Sequence, residues 1–146
     1  MPGIESLRKQ HYYAHPRNAF WPIMLNIFDL AEDLSYQQRC ASLIAQKIAL
    51  WDVLQSCQRQ GSLDSNIDAS SIVVNNFTEF LHAHPALKLI AFNGAKAEQI
   101  FNKYVLPTLS ENQLTITRKR LPSTSPAHAA MSFQQKCLCW RQVLLG

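Results

Sequence analysis

At 146 residues and 16.6 kDa, with 47% apolar and 16% charged residues, the chain is sized and composed for one packed domain, which excludes a disordered or low-complexity protein. A formal net charge of +4 and a pI near 9.0 favour a polyanionic partner, because each cation set against a phosphate releases condensed counterions. No apolar run approaches roughly 18 residues and no charged-then-apolar leader opens the chain, so the expectation is a protein of the bacterial cytoplasm or nucleoid with no membrane contact.

In chain order, Met1-Pro2-Gly3 is turn chemistry. A doubly wound fold ordinarily places an apolar strand ahead of such a turn, so a strand is expected to be missing upstream. The densest cluster follows, Tyr12-Tyr13-Ala14-His15-Pro16-Arg17-Asn18-Ala19-Phe20-Trp21. Helical periodicity covers Phe20–Phe28 and Tyr36–Gln46, and Ile48–Val53 is an apolar, branched run that reads as a buried strand. A helix at Phe77–Leu81 precedes a second strand at Leu87–Phe92, which runs directly into Asn93-Gly94 and a helix over Ala95–Val105. Asn93 and Gly94 are thereby expected at a strand's carboxyl end, where open α/β sheets bind ligands. A third strand, Leu114–Thr117, leads into Leu121-Pro122-Ser123-Thr124-Ser125-Pro126-Ala127, a loop in which two prolines bar helix and strand. Ser132–Leu144 is the last helix. The alternation predicts an α/β fold, three-layer α/β/α, with a short, mainly parallel central sheet in a single domain over 1–146 that lacks its first interior strand.

Several residue types in this order can carry chemistry. The aromatic rings of Tyr12 to Trp21 can stack on a nucleobase, Arg17 can meet a phosphate, and the Asn18 amide can orient water or bond a base edge. Each has a plainer reading: Phe20 and Trp21 as core, Asn18 as a helix N-cap, Asn93-Gly94 as a turn, and the Ser/Pro stretch as an ordinary loop. After Glu111 the last 35 residues hold Arg118, Lys119, Arg120, Lys136 and Arg141 with no acidic residue, so a polyanion is expected to meet that end. Cys40, Cys57, Cys137 and Cys139 lack zinc-knuckle or cluster spacing and read as buried free thiols, with no metal and no cofactor.

The segments Ala14-His15-Pro16-x-Asn18-x-Phe20-Trp21, Ile48 to Leu54, Gly61-Ser62-Leu63-Asp64-Ser65, Phe92-Asn93-Gly94 and Leu121 to Ala127, taken together, resemble the uracil-DNA glycosylase superfamily. The longer run from Tyr12 resembles its hypoxanthine-DNA (deoxyinosine) glycosylase branch. The resemblance implies a monofunctional enzyme that hydrolyses the N-glycosidic bond of a flipped, deaminated base in double-stranded DNA, acting as a monomer. It implies that Asn18 positions water and stabilises positive charge on the sugar, and that Asn93 bonds the base edge. It places Tyr13, Phe20 and Gly94 with Asn93 around the base. Arg17, Pro122, Ser123, Thr124, Ser125, Pro126 and His128 fall on the DNA, and the Asn18 and Asn93 amides are expected to converge beneath the loop.

Only Met1-Pro2-Gly3 remains of the Gly-Ser-x-Pro-Gly opening that the branch carries, so poor stability and weak activity are expected. A non-catalytic nucleic-acid-binding remnant and a uracil or mismatch-specific glycosylase are the alternatives. A thiol hydrolase built on Cys137 or Cys139 with His128 lacks a nucleophile turn. Asp52 and Asp64 read as structural.

Overall fold

The computed structural model describes residues 3–59 and 66–146, and Met1, Pro2 and the Gly61–Ser65 motif with Asp64 lie outside the described residues. The chain divides into two compact units, one over Asp52–Ser123 and one formed by the residues up to Trp51 together with Thr124–Gly146. Among the described residues no helix is long and apolar enough to cross a membrane.

The first of these units holds a two-stranded parallel sheet of β3 (Leu89–Asn93) and β4 (Thr117–Leu121), in register from Leu89 opposite Thr117 to Asn93 opposite Leu121. Ahead of it, β1 (Leu54–Ser56) and β2 (Val73–Val74) form a short antiparallel pair. Helix α4 (Phe77–Ala83) and helix α5 (Ala95–Ile100) supply the cover, and α5 runs on through a π-helical turn, Phe101–Val105, and a 3-10 turn, Leu106–Thr108. Phe77, Leu81, Phe92, Phe101, Val105 and Leu109 make one core, in which Phe101 meets Phe77 edge-on and Phe92 at a tilt, each at 5.1 Å between centroids. The class is therefore α/β with a small parallel sheet, as the alternation predicts.

The second unit is helical: α1 (Ile4–Lys9), α2 (Phe20–Phe28), α3 (Tyr36–Ala45) and α7 (Phe133–Leu144), while α6 (Glu111–Leu114) belongs to the sheet unit. Phe20, Ile23, Met24 and Ile27 of α2 are buried, as are Cys137 and Trp140 of α7, and Phe20 meets Trp140 edge-on at 5.8 Å. Arg141 of α7 donates to the carbonyl and the side-chain oxygen of Asn26. Three helices start with the same device. Ser35, Ser110 and Ser132 each accept the N–H of a glutamine three residues on, and that glutamine returns a bond to the serine N–H.

Three sequence expectations change. Ile48–Val53 is not a strand. Lys47 adopts a left-handed φ of 59° to end α3, and Ile48 donates back to Leu43. The Asp52 and Val53 carbonyls accept from the side chain and backbone of Asn75, among the described residues no ladder partner fixes the segment, and Trp51 is 40% exposed. Leu114–Thr117 is not a strand either: the capping box at Ser110 winds its start into α6, and the strand comes later, over Thr117–Leu121. The four cysteines are free as expected, but only Cys137 is fully buried.

Phe101 is 0% exposed at the centre of the sheet unit's core. Phe101→Ala is expected to cost about 3–5 kcal/mol through lost burial and the cavity it leaves. Urea unfolding of the two chains measures this, and a loss under about 1 kcal/mol would contradict the packing described.

Candidate active site

The His11–Asn18 segment has no regular structure, yet its backbone is pinned at several points. The Tyr12 N–H donates to the Tyr36 hydroxyl at 3.1 Å, the Tyr12 carbonyl accepts from the Trp21 indole at 3.0 Å, and the Ala14 N–H donates to the Ser6 hydroxyl at 3.0 Å. Burial pushes the Tyr36 phenol above the usual tyrosine range, an effect that the Tyr12 N–H opposes. Pro16 stands second in a turn closed by the Asn18 N–H on the His15 carbonyl at 2.9 Å, and the Arg17 N–H donates to His15 Nδ1 at 3.1 Å. These bonds deliver Asn18 to the foot of α2, where its Oδ1 accepts the Phe20 N–H at 3.0 Å. The N-cap of α2 is Ala19, without a side-chain cap bond, so Asn18 is not the N-cap that the sequence left open but closes a turn onto the first helical residue from one position earlier. An amide oxygen has two lone pairs, so this bond fixes the side chain and leaves one acceptor site and the NH2 for other work.

Tyr13 holds a left-handed φ of 57°, rare for an aromatic residue and a form of strain that clusters at functional sites. Its ring stacks on Phe20 at 4.0 Å between centroids and 24° between planes. Around this segment lies a cavity of about 360 Å³ lined by Tyr12, Tyr13, His15, Asn18, Trp21 and Tyr36, with Lys9 and Arg39 also on its wall. That volume is near the lower end of ordinary small-ligand pockets, about 300–1,000 Å³. The wall combines aromatic faces, one amide and basic groups, and it has no acidic residue.

In the sheet unit, Asn93 ends β3, opposite Leu121 at the end of β4. The Gly94 N–H donates to the Leu121 carbonyl at 3.1 Å, so the strand end and the start of the proline-bounded loop are bonded together. Gly94 adopts a φ of 96°, and a Cβ placed there would stand 3.0 Å from the Cβ of Ser123. Glycine is required on both grounds. The loop continues in the helical unit, where the Thr124 carbonyl accepts the Ala19 N–H at 2.9 Å. Ser125 accepts from the Ala127 N–H through its hydroxyl at 3.2 Å and from the His128 N–H through its carbonyl at 3.0 Å.

Asn18 belongs to the helical unit and Asn93 to the sheet unit. Two sequence-predicted contacts change. Phe20 is 2% exposed and packed between Tyr13, Trp21 and Trp140, so it backs the Tyr13 ring and offers no open face to a base. The Thr124 side chain is 1% exposed, so its hydroxyl is not a surface donor to DNA. Arg17 and Pro126 are exposed, while Pro122, Ser123, Ser125 and His128 are half-buried. Lys136, named in sequence only as one of five cations at the polyanion-facing end, is a buried ammonium that donates to the His128 carbonyl. The absence of any acidic residue after Glu111 was its only signal.

The sequence matches the uracil DNA glycosylase superfamily over residues 1–144. The chain belongs to that superfamily. It is 40% identical over 98 residues to a Methanosarcina acetivorans protein named hypoxanthine DNA glycosylase, and 41% identical over 100 residues to one of the same name from Methanosarcina barkeri. Each match covers 66% of this chain and 61% of the relative, so the chain spans less than two thirds of the length of these curated relatives. A solution NMR structure from Methanosarcina acetivorans, described as a candidate uracil DNA glycosylase, aligns with a TM-score of 0.74 and 31% identity, over 97% of this chain and 85% of that one. The superfamily match runs through both compact units.

Two outcomes test this geometry. Gly94→Ala is expected to destabilise by about 1–3 kcal/mol, because φ is wrong for alanine and Ser123 blocks the new methyl. An unchanged urea midpoint would refute the close pass. Burial pushes the Cys137 thiol up, so little thiolate forms there at neutral pH. Timed alkylation with mass spectrometry is expected to label Cys137 more slowly than Cys40 and Cys57, and equal labelling would contradict its burial.

Proposed function

We propose that this chain excises hypoxanthine from double-stranded DNA by hydrolysing the N-glycosidic bond of a flipped deoxyinosine. The observation that carries the reading is Asn18, an amide locked at the foot of α2 beside an aromatic, acid-free cavity. The two relatives named hypoxanthine DNA glycosylase support the choice of base. Flipping is required, because the sugar carbon under attack is inaccessible in stacked DNA.

In this reading, water attacks the anomeric carbon as the bond to the base nitrogen breaks. The base departs with the bonding electrons and is protonated, while the water loses its proton. Asn18 uses its remaining oxygen lone pair to hold the water and to face the positive charge that develops on the sugar. Held reactants need no general base of unusual pKa to gain a large rate, since positioning alone removes much of the barrier. Asn93 both donates and accepts, matching the O6 and N1–H edge that separates hypoxanthine from adenine. Tyr13, braced by Phe20, stacks on the base, and Gly94 keeps the backbone low where the base enters. Arg17 meets a phosphate. Ser123 and Ser125 meet the backbone through hydroxyls and main-chain N–H groups and His128 through its ring, while Pro122 and Pro126 stiffen the loop and Thr124 anchors it from within. The chemistry uses these side chains and water, without metal or cofactor, in one domain acting as a monomer.

Uracil is the competing base, favoured by the description of the solution structure. Single-turnover excision on matched inosine and uracil duplexes separates the two, with inosine cut faster. Asn18→Ala is expected to slow excision by about 100-fold. It should weaken DNA binding far less. Asn18→Ser, which keeps an oxygen for the Phe20 N–H, controls for folding and should also be slow. An Asn18→Ala chain that cuts at the original rate ends the assignment, and binding without any excision of either base by the unaltered chain would make it a nucleic-acid-binding protein.

A further inference from the structure

Lys136 is the one charged side chain that is fully buried among the described residues, at 5% exposure. It lies in the first turn of α7, and its Nζ donates to the His128 carbonyl at 2.7 Å. Among the described residues no carboxylate pairs with it. An ammonium carries three donors and a full charge, and one carbonyl satisfies one donor and neutralises nothing. A cation is ordinarily kept out of a protein interior unless an opposite charge compensates it. No acidic residue occurs after Glu111, so this end of the chain supplies none. Burial accordingly pushes the Lys136 ammonium below the usual lysine range.

The position of the charge indicates what compensates it. The Ser125 carbonyl and hydroxyl accept from His128 and Ala127, folding the second half of the proline-bounded loop into a tight turn. Lys136 reaches back eight positions along the chain and holds the far end of that turn by its last carbonyl. A charge behind the turn, shielded from solvent, acts on an anion at the loop with less screening than a surface lysine does. The loop's own groups are donors of the kind that fix phosphates: hydroxyls and main-chain N–H.

We propose that Lys136 is a positioning residue for DNA: through the His128 carbonyl it holds the Ser125–His128 turn in its phosphate-gripping shape, and its buried charge is neutralised by a backbone phosphate on binding. This rests on the reading that the loop grips DNA.

The test uses the full chain with three substitutions at this position. Lys136→Gln keeps a donor for the His128 carbonyl and removes the charge. Lys136→Met removes both, so that charge is tested even where one uncharged variant fails to fold, and Lys136→Arg keeps the charge. Affinity for an undamaged duplex and for an inosine duplex is measured by fluorescence anisotropy across a salt series, beside single-turnover excision and thermal melting. Loss of the charge is expected to weaken binding to both duplexes about fivefold or more at low salt, and to make the log–log salt slope shallower by about 0.9, the value for one phosphate. Lys136→Arg should restore the slope, and the rate at saturating DNA should fall by less than the affinity.

A merely structural lysine would lower the melting temperature without moving the slope. Folded uncharged variants with the original affinity and slope overturn the proposal. A Ser123→Ala/Ser125→Ala chain separates it from its premise. If that chain binds DNA weakly while the Lys136 variants bind normally, the lysine inference alone fails; if it binds as tightly as the original, the loop reading fails and takes the inference with it.

Discussion

The close approach of Gly94 to Ser123 is the constraint on which the carboxyl edge of the sheet depends. β3 and β4 are paired through five residues, and the Gly94 N–H extends that pairing by one bond to the Leu121 carbonyl. The chain must then turn at once into α5, at a φ that only glycine adopts without strain, with no room for a side chain. Asn93 is thereby held at the last rung of the ladder and the proline-bounded loop begins beside it. The helical unit uses a different device for the same end. There the Asn18 oxygen accepts the first N–H of α2, so the residue proposed for chemistry is positioned by its own hydrogen bond. Each asparagine stands two residues ahead of a helix, where the backbone changes direction and a short side chain can be aimed without leaving a buried polar group unpaired.

Strain and satisfaction are divided in the same way around the aromatic segment. Tyr13 pays for its left-handed backbone with neighbours that hold it: Tyr12 is bonded at both its N–H and its carbonyl, and Ala14 at its N–H. The Tyr13 ring then has Phe20 on one face, and Phe20 is packed in turn against Trp140. A ring held this way is ordered in advance, as the stacking proposed for Tyr13 requires.

Much of this order is legible in the sequence, and the exceptions have physical causes. The helix over Phe20–Phe28 is found at its exact limits because an apolar face repeats at helical spacing, and the Ser132 cap marks the start of α7. Asn93-Gly94 reads correctly as a strand-to-helix turn. The strand at Thr117–Leu121 hides behind three consecutive cations, because an exposed strand carries charge and shows no apolar alternation. The run Ile48–Val53 has strand composition but no ladder partner among the described residues, and composition without pairing does not make a strand. Helix α1, of six residues, is too short for its periodicity to register. In the site, residue type reads Phe20 as core, as it is, and only the family resemblance sets it on the base beside Tyr13, which lines the cavity. Sequence places Lys136 among the cations of a polyanion-facing end but does not show its burial, which depends on a carbonyl eight residues away whose direction is set by the loop.

The proposed function has the amides at positions 18 and 93 serve one reaction on one extruded purine. A double-substitution cycle tests this most directly: single-turnover excision from an inosine duplex by the original chain, Asn18→Ala, Asn93→Ala and the two together. Groups that act as a unit in one transition state are strongly non-additive. The double variant is therefore expected to be little slower than the slower single one. Losses that multiply in full would mean that the two amides act independently, and would contradict the account.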